Sequence, residues 1–290
     1  MKIGVSSYSY HRLVASGKMR QIDVIAAAKE AGFDVIEFST IAVPEGKALP
    51  DFARELRAEA DRVGIPIANY TIGADFIGGS GGDLDAEVER LKGEVDIAEI
   101  LGAPGMRHDI TYRLPSADGK FRTFESAIPR IAKGVRAVTE YAASKGIRTM
   151  TENHGFISQD SLRVEKIVDA VAHPNFGVLI DFGNFLCADE NPAMAVSRLA
   201  PYAFHAHAKD FHVKSGNGVP PGEGWFMTRG GNFLRGAIIG HGDVPLLQAL
   251  RALKRTGYDG VLSVEFEGME DPLTGIRIGQ DNLRKLVALA

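Results

Sequence analysis

The sequence predicts an α/β protein, a single closed (β/α)8 barrel, and three observations carry that prediction. Eight stretches of strand character each lead into a stretch of helical character, several of them closed by a helix-ending glycine. The length, 290 residues, suits one such barrel. No Gly-x-Gly-x-x-Gly follows the first strand, which removes the main argument for an open dinucleotide-binding sheet. Strand–helix alternation favours parallel strands joined by right-handed crossovers, so the architecture is the TIM barrel. No shift in composition marks a linker, and residues 1–290 are read as one domain.

The elements follow in order. Residues 2–7 read as a buried strand ending in small hydroxyls, and 22–31 as a helix stopped by Gly32. Residues 34–38 form the second strand. An amphipathic helix over 51–63 ends at Gly64. The third strand, 65–70, is followed by a glycine-rich loop at 78–82. A helix over 83–101 leads to the short fourth strand, 105–108. A helix over 124–144, which tolerates Gly134, passes through Gly146 to the strand at 147–152. Residues 161–171 are helical and 175–181 extended. A short helix at 192–199 precedes the seventh strand, which opens at Tyr202. The final units are a helix at 245–255, a strand at 260–265 and a helix at 275–289.

Composition narrows the functional classes. The chain is 45% hydrophobic and 24% charged, the balance of an ordinary globular protein with one large core. A net charge of −4 argues against nucleic-acid and anionic-membrane partners, which need a basic face. Cys187 is the one cysteine, so the fold does not depend on an intrachain disulfide. The start of the chain lacks the apolar run of a secretory signal, and no uncharged stretch reaches membrane-spanning length. A cytoplasmic location is expected.

In a barrel of this kind the chemistry lies at the C-terminal ends of the strands. The seventh strand is the most pointed case. His205 and His207 share one face, Phe204, Ala206 and Ala208 the other, and Lys209 and Asp210 follow. The other strand ends carry Ser6, Ser7 and Tyr8; Glu37; Asn69 and Tyr70; Arg107 and His108; Glu152, Asn153 and His154; Asp181 and Asn184; and Glu265 and Glu267. Taken singly, each has a structural explanation: a satisfied core histidine, a helix cap, a salt-bridge partner. Together, Glu152, Asp181, His207 and Glu265 end four consecutive strands. Three carboxylates and an imidazole at one barrel mouth repel one another unless a cation lies among them. Oxygen donors with one nitrogen and no thiolate suit Mn²⁺, Mg²⁺ or Co²⁺ better than a structural zinc, with Zn²⁺ a further option.

The segments Glu152-Asn153-His154-Gly155, Leu179-Ile180-Asp181-Phe182-Gly183-Asn184, His207-Ala208-Lys209-Asp210 and 257–265 resemble the signature strand ends of the sugar phosphate isomerase/epimerase family, the xylose-isomerase-like barrels. The resemblance runs over essentially the whole chain, with the four motifs in the family's order. It implies one divalent ion, Mn²⁺ first, held by Glu152, Asp181, His207 and Glu265. Glu152 and Glu265 would double as the acid/base pair. The implied reaction is isomerisation or epimerisation of a keto sugar, by removal of a proton next to a carbonyl through a metal-stabilised enediolate. Dehydration of a keto sugar or inosose uses the same constellation and is the alternative. An apurinic-site endonuclease or a non-catalytic sugar-binding barrel are remoter readings. The resemblance also implies a small-molecule sugar as partner and a homo-oligomer, dimer or tetramer.

Around this centre Glu37, His108, His154, Asn184 and Lys209 are expected to bind substrate. The stretch 208–242 is expected to be a long loop acting as a lid. It carries the one tryptophan, Trp225, which would stack on the substrate.

Overall fold

The computed structural model describes residues 1–290. Eight parallel strands close into a barrel: β1 (Lys2–Ser6), β2 (Val35–Ser39), β3 (Ile67–Ile72), β4 (Gly105–His108), β5 (Arg148–Glu152), β6 (Phe176–Asp181), β7 (Ala203–Ala208) and, after an excursion, β11 (Val261–Val264). Each pairs with its neighbours in sequence, and β11 returns to β1 through Lys2–Val261 to Val5–Val264. The helices that pack outside are α2 (Asp23–Glu30), α3 (Leu49–Val63), α4 (Leu84–Leu101), α5 (Phe124–Ser144), α6 (Ser161–Val171), α7 (Pro192–Leu199), α8 (Leu246–Lys254) and α9 (Pro272–Leu289). No helix is long and apolar enough to cross a membrane.

Local chemistry sets the boundaries, and explains where they differ from the expected ones. β3 begins two residues later than its apolar run because Ile65 belongs to the end of α3. Gly64 turns left-handed at φ 72°, and the amides of both Gly64 and Ile65 donate to Ala60 O. α9 begins three residues early because Asp271 caps it, accepting from Thr274 N at 2.9 Å, with Pro272 in the first turn. α1 (His11–Ala15), a short helix after the first strand, was not expected at all. α5 runs through Gly134 because the helix lies close on Phe76: a Cβ at 134 would stand 2.5 Å from the Phe76 ring.

Alternation sorts the strand residues into two environments. Ile3, Val5, Ile36, Phe38, Val178, Ile180, Leu262 and Val264 join helix residues such as Leu56, Leu91, Ile131, Ile167 and Leu250 in one buried apolar layer. The opposite faces of the same strands point into the barrel and carry Glu37, Asn69, Arg107, Glu152, Asp181, His205, His207 and Ser263. Such an interior is usually filled by branched apolar side chains. Here its C-terminal end is polar, which makes that end the candidate site.

The stretch 208–242 departs from the expected loop. It folds as a three-stranded antiparallel sheet, with β10 (Phe233–Ala237) between β8 (Asp210–Lys214) and β9 (Phe226–Met227). Asp210 pins its return to the barrel by accepting from the amides of Gly240, Gly242 and Val244 at 2.9–3.1 Å.

Candidate metal centre

The ends of β5, β6, β7 and the segment just past β11 bring Glu152, Asp181, His207 and Glu265 together. One donor atom from each lies within 4.8 Å of all the others, and all four residues are buried. Register explains the meeting: Asp181 is level with His207, and His207 with Ser263, two residues before Glu265 on the same face. His207 Nδ1 stands 4.0 Å from Glu152 Oε1, 3.7 Å from Asp181 Oδ2 and 3.6 Å from Glu265 Oε1.

Two of these buried donors, Asp181 Oδ2 and His207 Nδ1, make no hydrogen bond, although Lys209 Nζ lies 3.3 Å from the former. An unpartnered carboxylate oxygen facing an unpartnered imidazole nitrogen is costly in a buried place. A divalent ion shared by the four groups would satisfy both atoms. Oxygen and nitrogen donors spaced like this fit an ion with bond lengths of about 2.0–2.4 Å. The residues fit the implied metal.

The surrounding side chains hold the four groups in place. Asn184 Nδ2 donates to Glu152 Oε1 at 2.9 Å, and Asp181 Oδ1 accepts from the amides of Gly183 and Asn184 at 2.8 Å. Lys209 Nζ reaches Glu265 Oε2 at 2.7 Å, Glu267 Oε1 at 3.0 Å and Asn184 Oδ1 at 3.1 Å. Burial alone would raise the Glu265 carboxyl, but Lys209 and His207 overcome it and hold its pKa well below the ordinary range. Burial would lower Lys209, and Asp181 and Glu265 keep its pKa well above the ordinary value.

Arg107 is the main participant that sequence reasoning left without a role. Its Nε donates to Glu152 Oε2 at 2.6 Å, and Nη1 lies 3.4 Å from Asp109 Oδ1. Asp109 in turn accepts from Tyr112 Oη at 2.7 Å and pairs with His154 Nδ1 at 2.9 Å. Burial would raise Asp109; Arg107 and His154 hold it below the usual carboxylate range. His154 thus stands half-exposed beside Glu152, tied to a buried acid.

Two expected substrate ligands lie elsewhere. His108 does not reach the mouth: on β4 it is Arg107 that turns inward, so His108 faces the apolar layer. It is wholly buried, its ring 5.5 Å from that of Phe76 and 6.1 Å from that of Phe176, and its Nδ1–H donates to Asp109 O at 2.9 Å. Glu37 is inside the barrel but has no exposed surface. Its carboxylate lies against His207 Nε2 and against His205 Nε2, the latter at 2.9 Å. Trp225 is half-buried in the excursion with the Arg235 guanidinium 5.4 Å from its ring, and the adjoining Gly224 abuts Met269 in the loop after β11. Cys187 is buried behind β8 and β10 with Phe211 and Leu234, and burial pushes its thiol up to about 12.

Comparison with known proteins identifies the family. An inosose dehydratase of Clostridium botulinum is 25% identical over 161 residues, 54% of this chain and 52% of that protein. The chain thus spans about half the length of the curated relatives it matches. Among solved structures, a xylose isomerase domain protein from Planctomyces limnophilus superposes with a TM-score of 0.68 at 22% identity, covering 91% of each chain. A D-psicose 3-epimerase from Clostridium cellulolyticum H10 superposes with a TM-score of 0.73 at 16% identity over 99% of each chain. The family model for the xylose isomerase-like TIM barrel matches residues 25–286. The chain belongs to the xylose isomerase-like TIM barrel family.

Proposed function

We propose that the protein is a divalent-metal-dependent isomerase or epimerase of a keto sugar or sugar derivative. The observation that carries the reading is the buried quartet Glu152, Asp181, His207 and Glu265, with two donor atoms left unpartnered among them. A bound Mn²⁺, or Mg²⁺, Co²⁺ or Zn²⁺ in its place, would supply Lewis-acid polarisation of a substrate carbonyl and make the neighbouring C–H acidic.

The chain's own groups do the rest. Glu152 and Glu265 stand on β5 and just past β11, with β6 and β7 between them, so a sugar seated in the mouth has a carboxylate on either side. One takes the proton and the other returns it. Asn184 and Arg107 orient Glu152, and Lys209 orients Glu265. His154, Asn184 and Lys209 are assigned to substrate hydroxyls, and the excursion carrying Trp225 to shielding the mouth from water. Proton return on the opposite face gives epimerisation; return to the adjacent carbon gives isomerisation. The similarity to an inosose dehydratase supports a second reading, in which a β-hydroxyl leaves instead.

Incubation of the Mn²⁺-loaded protein with ketoses, 3-keto glycosides and inososes in heavy water separates these outcomes. Solvent deuterium in an isomeric product supports the main reading, and loss of water with a new ultraviolet-absorbing enone supports the second. Turnover without any deuterium, or undiminished turnover in both Glu152→Gln and Glu265→Gln, would contradict the acid/base assignment.

A further inference from the structure

Beneath the quartet lies a second polar cluster, in which Glu37 of β2 is enclosed by His205, His207 and Asn69. We propose that Glu37 is a positioning residue for the metal centre: it takes the Nε2–H of His207 and so fixes Nδ1 as the nitrogen presented to the ion. The inference rests on the metal reading of the site.

The argument is one of donors and acceptors. A carboxylate can only accept, and a neutral imidazole has a single N–H. Glu37 Oε1 and His207 Nε2 are in close contact but not aligned as a hydrogen bond, and each is otherwise without a partner. Since the carboxylate can only accept, a small turn of the ring that pairs the two requires the hydrogen on Nε2. The lone pair is left on Nδ1, the atom that faces Asp181, Glu152 and Glu265 at 3.6–4.0 Å. A ring with the opposite tautomer would aim an N–H at three carboxylates and leave a lone pair against a fourth, which excludes a cation from the centre.

The rest of the cluster keeps Glu37 in position. Its other oxygen, Oε2, meets His205 Nε2 at 2.9 Å and Asn69 Nδ2 at 3.4 Å, and His205 Nε2 also lies 3.1 Å from Ser263 Oγ. Gly4 makes room for that serine: a Cβ at residue 4 would stand 2.7 Å from Ser263 Oγ. Side chains from β3, β7 and β11 thus surround one carboxylate, which has no solvent-exposed surface. This also accounts for the paired histidines of β7. His207 faces the ion, and His205, two residues deeper, braces the group that aims it.

Titration of the full-length, chelator-treated protein with Mn²⁺, following free Mn²⁺ by electron paramagnetic resonance, gives stoichiometry and affinity together. Wild type is expected to bind one ion, and Glu37→Gln to bind it about 10- to 100-fold more weakly. Equal affinities would overturn the inference while leaving the metal reading intact. Wild type binding two ions and the variant one would overturn it by making Glu37 a ligand. A wild type that binds no divalent ion removes the metal reading and this inference with it. Should Glu37→Gln fail to fold, the wild type loaded with Zn²⁺ decides: long-range ¹H–¹⁵N spectra are expected to show His207 protonated at Nε2, and protonation at Nδ1 would overturn the assignment.

Discussion

Replacing Arg107 by methionine tests how the centre is held together. The arginine side chain is 12% exposed; it pairs with Glu152, approaches Asp109 at 3.4 Å and donates to Ile72 O at 3.2 Å. Methionine fills much of the same space but leaves two buried carboxylates without their cation. Breaking a buried ion pair by removing one partner costs about 3–5 kcal/mol. Glu152 keeps its bond from Asn184, and Asp109 keeps Tyr112 and His154, so the lower end, about 3 kcal/mol, is expected. Unfolding entropy of about 2.1 cal/mol/K per residue, scaled to this chain, turns that into a fall in Tm of about 5 °C. Scanning calorimetry of the chelator-treated protein reads it. The double variant Arg107→Met/Asp109→Asn should regain part of the loss, since it removes one of the stranded charges. A fall below about 1 °C, or strict additivity in the double variant, would refute the idea that Arg107 compensates this cluster.

Two further outcomes follow from burial. Burial lowers the His108 imidazole to about 4, against about 6.5 in the unfolded chain. The unfolded state therefore takes up a proton that the folded state refuses, so this stability is fully present above about pH 6.5 and is lost as pH falls toward 4. The loss between pH 6.5 and 5 is about 2 kcal/mol, and urea titrations should show it shrink in His108→Phe; an unchanged pH dependence would contradict it. Gly134→Ala should destabilise by about 1–3 kcal/mol despite the better helix propensity of alanine, because the added methyl meets Phe76; Phe76→Leu in the same chain should relieve the loss.

The strand–helix rhythm made the barrel legible, and the rule that such barrels work at their strand ends made the quartet legible as candidates. Depth and phase were not legible. His108 and Arg107 are neighbours on a strand of four residues, too short for alternation to say which one turns inward. Glu37 stands on the expected inward face of its strand, but its carboxylate lies against His205 and His207. How far it sits below the mouth depends on the stagger of β2 against β7, which lie on different sides of the barrel. The excursion read as loop because its glycines and prolines mask strands as short as Phe226–Met227, whose pairing with β10 is the main sign of their character. Asp109, between a strand end and a loop, carries no periodic signal; only the positions of Arg107, His154 and Tyr112 around it reveal its part.

The central claim is that one divalent ion sits where β5, β6, β7 and β11 end, and anomalous diffraction from a Mn²⁺-loaded crystal tests it most directly. The account predicts a single peak at about 2.0–2.4 Å from Glu152, Asp181, Glu265 and His207, the last through Nδ1. A loaded crystal with no peak there, or with its peak among Glu37, His205 and His207 Nε2 instead, would contradict it.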